Sequence, residues 1–302
     1  MIEVDDDHEF GSLEITDVKL QLIEKYLKAY ITALRGKFKS IWYIDAFAGT
    51  GTWNVRFPAR EGDAFGAEPT PERVEKRRGS ATIALETVPH FDALIFIDER
   101  KRHVDALNAI RDRNPSRNIR VVRGDANTIV QKACRSYKNW DDTRAVLFLD
   151  PYGMSVSWET LEAIAATRAI DVWYLFSLEG LFRNAAHDID DVDEHKAAAL
   201  TRMCGSDAWR TELYSRAEFG PVDLFTGEPD LPTRRTANVA ALEQWFTGRL
   251  RTIFPLVLEP YALPVAKRPQ RFSLYLALAN DEPKAMGLAK KIGDQIMAAA
   301  GR

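Results

Sequence analysis

The first two thirds of the chain alternate between helical patterns and short apolar runs. Apolar residues recur every three or four positions from Leu20 to Leu34, which predicts an amphipathic helix that ends at Gly36. Further helices are predicted at 80–88, 101–113, 127–137 and 158–167. Strands are predicted at 41–44, 91–98, 119–123, 145–149 and 171–176. Continuous apolar strands are typical of sheets buried on both faces, so the pattern predicts an α/β fold with a mostly parallel, doubly wound sheet.

The pattern changes beyond Leu181. A polar helical stretch, a loop rich in proline and glycine and a further helix predict a helical insert or cap over 184–253. Two strand-like runs follow, at 256–265 and 272–279, and predict an antiparallel pair at the sheet edge. We therefore predict a core of residues 1–183, with a loop insert at about 54–78, and a segment 254–302 that completes the core with two strands and a helix.

Composition limits the classes of protein to consider. The chain has 302 residues, a net charge of −3 and a pI near 6.0, so no overall positive field attracts nucleic acid. Arginines and lysines cluster between 56 and 123, where they either form a local nucleic-acid surface or are balanced by nearby acids. Cys134 and Cys204 have no CxxC partner, and no apolar run has membrane length, so we expect a cytoplasmic protein with no metal site.

Two predicted strands each end in an aspartate that is followed by a tight loop. Asp45 opens the run Asp45-Ala46-Phe47-Ala48-Gly49-Thr50-Gly51, and Asp150 opens Asp150-Pro151-Tyr152-Gly153. Ligands of open α/β sheets bind beyond the carboxyl ends of such strands. The glycines of the first loop let the backbone approach a nucleotide, and the second loop offers a carboxylate, a carbonyl and an aromatic face. This pairing suggests S-adenosylmethionine (SAM) and a methyl acceptor.

Two further acids follow the next strands. Asp98 is separated from Gly51 by the roughly 20 residues expected of a ribose-binding acid, once an insert of about 25 residues is removed. In Gly124-Asp125-Ala126, the carboxylate could accept a hydrogen bond from an adenine amino group. Both aspartates could instead serve as turn or helix-cap residues. The third glycine of the dinucleotide fingerprint is missing, which counts against a nicotinamide-dependent oxidoreductase.

These motifs resemble those of known methyltransferases. The run from Asp45 to Gly51 is similar to the DxFxGxG motif of SAM-dependent amino-methyltransferases, and Asp150-Pro151-Tyr152 resembles their DPPY motif with one proline missing. The resemblance implies that the aromatic residue and glycines of the first motif border the cofactor. It also implies that the carboxylate and proline carbonyl of the second accept hydrogen bonds from the target amino group, while its aromatic ring stacks on an extruded base.

A wider set of motifs resembles the three-Cys-motif partner protein (TcmP) family. The set comprises Asp45–Gly49, Gly79-Ser80, Gly124–Asn127, Phe148–Gly153 and Trp158. The resemblance covers nearly the whole chain and is weakest between about 185 and 250. It implies a Rossmann-like methyltransferase fold and a partner protein that bears a three-cysteine motif and is itself similar to radical-SAM proteins.

The leading interpretation is a SAM-dependent methyltransferase with an amine or nucleobase-like acceptor. Asp150, Pro151 and Tyr152 would position the acceptor. The expected cofactor residues are Asp45, Phe47, Gly49, Gly51, Asp98, Asp125 and Ala126. The alternative is a non-catalytic adaptor of the same fold that binds the cysteine-motif partner through the 184–253 insert.

Overall fold

The computed structural model describes residues 13–57, 59, 71–218, 231–265 and 267–300. The helices are α1 (Leu13–Leu34), α2 (Ser80–Glu86), α3 (Lys101–Asp112), α4 (Ala126–Ser136), α5 (Trp158–Ala165), α6 (Leu178–Asn184), α7 (Glu194–Cys204), α8 (Trp209–Glu212), α9 (Val239–Ile253) and α10 (Pro283–Ala300). The strands are β1 (Ser40–Asp45), β2 (Thr52–Phe57), β3 (Arg73–Arg78), β4 (Ala93–Asp98), β5 (Ile119–Arg123), β6 (Thr143–Leu149), β7 (Ile170–Ser177), β8 (Tyr214–Arg216), β9 (Thr233–Arg235), β10 (Leu256–Val257), β11 (Tyr261–Leu263) and β12 (Phe272–Leu278).

The main sheet has the strand order β10-β12-β7-β6-β1-β4-β5, and β11 also pairs with β12. Strands β5, β4, β1, β6 and β7 are parallel to one another, whereas β12 is antiparallel to β7. The short strands β10 and β11 pair antiparallel with β12 at this edge. The structure thus confirms the predicted α/β, Rossmann-like fold, in which a mostly parallel sheet has an antiparallel strand near one edge.

Each face of the sheet is covered by helices. One hydrophobic cluster joins the sheet to α1, α2, α3 and α10, and the other joins it to α4, α5, α6, α7 and α9. The strand β7 is buried along its whole length because both faces are covered. This double cover explains why the strands are continuous apolar runs in the sequence rather than alternating ones.

Helix α1 is fixed on its face by both apolar and polar contacts. Its stripe of buried residues includes Ile23 and Leu27, as the spacing predicts. The Tyr26 hydroxyl donates a 2.6 Å hydrogen bond to the carboxylate of Asp171 on β7. Because α1 ends shortly before β1 begins, its first turns lie at the edge of the sheet where the parallel strands end. Helix α1 can therefore contribute side chains to the loops at that edge.

The segment predicted as a helical insert shares the core of the sheet. On α9, the ring of Phe246 stacks on Phe176 of β7, with centroids 3.8 Å apart and an interplanar angle of 7°. The Tyr275 hydroxyl on β12 lies 2.9 Å from the Thr247 hydroxyl of α9. Beside α7 and α8, the strands β8 and β9 form a small antiparallel ribbon that the sequence pattern did not predict. Most of the predicted proline- and glycine-rich loop, residues 219–230, lies outside the described residues.

The prediction of an irregular loop at about 54–78 is corrected at its two ends. Strands β2 and β3 pair antiparallel from Thr52 opposite Arg78 to Phe57 opposite Arg73. The alternation of Trp53 and Val55 with polar neighbours is the period of a half-buried strand, and Val55 is 1% exposed. Residues 58 and 60–70 between the strands lie outside the described part.

Within the described ranges, no helix combines the length and apolar character needed to cross a membrane.

Candidate functional site

The loops that carry the predicted site residues meet at one edge of the sheet. Asp45 at the end of β1 is in register with Phe96 of β4 on one side and Phe148 of β6 on the other. Asp98 and Asp150 therefore both lie two residues beyond that level. The chain leaves β1 towards β4 and β5 and later returns to β6 on the opposite side. Such a reversal of strand order opens a crevice beyond the carboxyl ends of the strands, where ligands bind in this class of fold.

The glycine loop after β1 is held in a conformation that favours glycine. Gly49 has φ +58° and Gly51 has φ +75°. The Gly51 carbonyl accepts hydrogen bonds from the Gly79 N–H, at 2.9 Å, and from the Thr82 hydroxyl, at 2.6 Å. A Cβ on Gly51 would lie 2.6 Å from Cδ1 of Ile110, whereas one on Gly49 would have no atom within 4 Å. Gly51 is thus packed against the protein, and Gly49 faces open space.

Asp98 connects this loop to the neighbouring strand. One of its oxygens accepts the Gly49 N–H at 3.0 Å and lies 3.0 Å from Nδ1 of His103. The other accepts the Arg100 N–H at 2.8 Å. A carboxylate can accept about four hydrogen bonds, so capacity for a further ligand remains. The side chain of Asp98 is 11% exposed, and that of His103 is 8% exposed.

Asp125 and Ala126 lie at the start of α4. The Asp125 carboxylate accepts hydrogen bonds from the Thr128 N–H at 2.8 Å and from the Thr128 hydroxyl at 2.7 Å, which makes it the N-cap of the helix. Partial burial raises the pKa of Asp125, but the combined effect of the hydrogen bonds that it accepts is larger and opposite. The pKa of Asp125 is therefore lowered. The cap role that the sequence left open is therefore present. Its adenine contact stays a prediction.

Asp45 lies beneath the glycine loop rather than on the wall of the crevice, since its exposed fraction is 0%. Its carboxyl accepts the Tyr43 hydroxyl at 3.1 Å and the Phe47 N–H at 3.4 Å. Burial, with a smaller effect from the charge of Asp150, raises the pKa of Asp45 to about 7, although hydrogen bonds from Ser80 and Tyr43 act in the opposite direction. Asp45 can therefore support a cofactor site from below through Phe47, which is half-buried.

The three predicted acceptor residues in the loop after β6 differ in their surroundings. Asp150 forms an ion pair with Lys19 of α1, with Nζ 2.5 Å from Oδ2. Pro151 is buried. Tyr152 is 48% exposed, and the Arg100 guanidinium lies over its ring, 4.9 Å from the centroid. Arg100 belongs to the loop after β4, where its N–H donates to Asp98. Its contact with Tyr152 therefore joins the predicted cofactor loop to the predicted acceptor loop.

The sequence reasoning missed Lys19 and His103. Lys19 is 8% exposed and occupies the buried stripe of α1, four residues before Ile23. A charged residue within an apolar stripe was the available signal, because lysine is almost never fully buried without a partner. His103 lies on α3 in a position whose contact with Asp98 depends on how α3 packs. No simple pattern in the sequence indicates that contact.

Several of the basic residues between 56 and 123 form ion pairs with acids where they are described. Arg77 forms an ion pair with Asp17, with Nη1 2.6 Å from Oδ2. Arg78 pairs with both Glu24 and Glu86, each at 3.0 Å. Acids therefore offset these two arginines, and a nucleic-acid surface on the segment stays a prediction. Among the residues that the structure describes, no three His, Cys, Asp or Glu side chains come together as metal ligands would.

No protein-family model and no curated protein matches this sequence. A Legionella pneumophila protein of the family model DUF519 is similar in structure at 12% identity, with 92% of this chain and 90% of that chain covered and a TM-score of 0.49. The N-terminal domain of EvdMO1 with SAH bound has 10% identity, coverage of 85% and 80%, and a TM-score of 0.38. An S-adenosylmethionine-dependent methyltransferase from Clostridium acetobutylicum has 11% identity, coverage of 85% and 91%, and a TM-score of 0.36.

Proposed function

We propose that this chain is a SAM-dependent methyltransferase with an amine or nucleobase-like acceptor. The observation that carries the proposal is the meeting of the glycine loop, Asp98 and the Asp150 loop at one crevice of the sheet. Asp98 accepts the Gly49 N–H, so the acid expected to bind ribose and the loop expected to border the cofactor form one unit. The sequence resemblance to amino-methyltransferases gives this geometry its chemical interpretation.

The residues on the cofactor side fit an adenosyl ligand. The open space beside Gly49 allows a ligand to approach the backbone, which a side chain at that position would prevent. Asp98 has acceptor capacity left for a ribose hydroxyl, and Asp125 and Ala126 lie after the neighbouring strand. When bound, SAM supplies an electrophilic methyl group on a sulfonium, so the protein mainly has to align donor and acceptor.

On the acceptor side, Asp150 and Pro151 would hold the reacting nitrogen. A carboxylate and a carbonyl both accept hydrogen bonds from an amino group, which directs the nitrogen lone pair towards the methyl group. Tyr152 is exposed beside them and offers a ring for a planar acceptor. A planar acceptor that stacks on Tyr152 would compete with the Arg100 guanidinium for the face of that ring.

Binding of SAM to Asp98 variants tests this proposal. Charge-assisted hydrogen bonds contribute about 1.5–3 kcal/mol each, so Asp98→Ala should weaken SAM at least about tenfold. Asp98→Asn keeps an oxygen for the Gly49 N–H and separates loss of the loop contact from loss of the charge. Asp142→Ala is the matched control, because Asp142 is an exposed, ion-paired acid at the other end of the β6 strand. Unchanged SAM affinity in Asp98→Ala would remove Asp98 from the site.

One observation favours the second candidate, a non-catalytic adaptor for a three-cysteine-motif partner protein. Asp150, which should receive the acceptor, is already paired with the Lys19 ammonium. An adaptor would form a stable complex with that partner, and the complex would survive Asp150→Ala without methyl transfer. Methyl transfer to any acceptor in a complex with wild-type protein, lost in Asp150→Ala, would contradict the adaptor.

A further inference from the structure

The ion pair between Lys19 and Asp150 joins two elements that are far apart in sequence. Their side chains are 10% and 26% exposed, and Nζ lies 2.5 Å from Oδ2. Lys19 comes from the first turns of α1, and Asp150 follows β6 at the crevice. The pair places one positive and one negative charge at the crevice. The Asp45 carboxyl lies nearby but is fully buried beneath the glycine loop.

Charge at this place matters because the two adenosyl ligands differ by one charge. SAM carries a sulfonium, whereas the product S-adenosylhomocysteine (SAH) carries a neutral thioether in the same position. A lone carboxylate beside that sulfur would favour SAM, and a lone ammonium would favour SAH. Charges interact more strongly in a partly buried crevice than in water, since the surrounding dielectric constant is lower.

We propose that Lys19 is a positioning residue that holds the Asp150 carboxylate in place and offsets its charge, so that the site does not over-stabilise the sulfonium of SAM relative to the thioether of SAH. This inference rests on the proposed function, because it assumes that adenosyl ligands occupy the crevice. Lys19 acts through Asp150 and takes no part in the transfer itself.

The ratio of the SAH and SAM dissociation constants, measured by calorimetry at pH 8, tests the inference. Lys19→Met keeps the length of the side chain and removes its charge, and should raise the preference for SAM roughly three- to tenfold, as expected for one partly screened charge. Asp150→Asn should lower that preference. Lys19→Arg should keep the wild-type ratio, and the double variant Lys19→Met with Asp150→Asn should return towards it.

The control is Lys25→Met, which removes the same charge from an exposed position on the same helix. A merely structural role of Lys19 would weaken SAM and SAH together and leave their ratio unchanged. A ratio in Lys19→Met within about twofold of wild type, or an equal change in Lys25→Met, would overturn the inference. Failure of the wild-type protein to bind either ligand would instead overturn the proposed function, so the two failures are distinguishable.

Discussion

The buried carboxyl of Asp45 should make the stability of the protein depend on pH. Its pKa is raised from 3.8 to about 7, mainly by burial, so the folded protein binds this proton more tightly than the unfolded chain does. The free energy of unfolding therefore falls as the pH rises between these values. The slope is about 1.4 kcal/mol per pH unit where the folded state is protonated and the unfolded state is not, which gives about 4 kcal/mol over the window.

Replacing Asp45 with asparagine should remove this contribution. Asparagine has nearly the shape of the protonated acid and carries no charge, and its oxygen can still accept the Phe47 N–H. We expect the slope between pH 5 and 6.5 to become about 1.4 kcal/mol per pH unit less steep than in wild type. The assay is urea unfolding at several pH values, with the free energies extrapolated to zero denaturant.

Asp171 provides a matched comparison outside the crevice. Burial raises its pKa to about 7 as well, and the Tyr26 hydroxyl is its hydrogen-bond donor. Asp171→Asn should flatten the slope by a similar amount, and the two effects should add because the sites are separate. A wild-type slope retained in Asp45→Asn would refute the assignment of this proton to Asp45.

Four further substitutions test the packing and the site. Gly49→Ala should cost only about 1–2 kcal/mol of stability, for its left-handed backbone, yet abolish SAM binding measured by calorimetry, because its Cβ enters the open crevice. Gly51→Ala should lower stability more than Gly49→Ala in urea unfolding, since its Cβ also meets Ile110; equal losses would contradict this packing. Phe246→Ala should cost about 3–5 kcal/mol if α9 belongs to the core, and a loss under about 1 kcal/mol would contradict that placement. Asp150→Ala should still bind SAM, with the modest loss expected from its missing charge, but should abolish turnover on the true acceptor; equal turnover would refute its positioning role.

The strands of the sheet and the aspartates at their ends could be predicted because their signals are local. A run such as Ala145 to Leu149 is apolar throughout, and a strand buried on both faces requires such a run. The edge strands near 256–265 were predicted as one run, but the structure divides them into β10 and β11. Pro260 lies between them and has no N–H to donate to the sheet.

Contacts between distant elements could not be predicted in the same way. The partner of Lys19 lies 131 positions away, and nothing near Asp150 in the sequence indicates it. The place of α9 on the sheet also depends on packing, because an amphipathic helix has the same pattern in a core layer as in a cap. The cap role of Asp125 was predicted only as an alternative. An aspartate between a strand and the next helix can either cap that helix or bind a ligand, and the sequence pattern is the same in both cases.

The most direct test of the central claim is titration of the purified chain with SAM, SAH and NAD in parallel, repeated on Asp98→Ala. The proposed function predicts micromolar binding of SAM and SAH, at least about tenfold weaker in the variant, and no comparable binding of NAD. Binding of NAD alone, or of none of the three ligands, would contradict it.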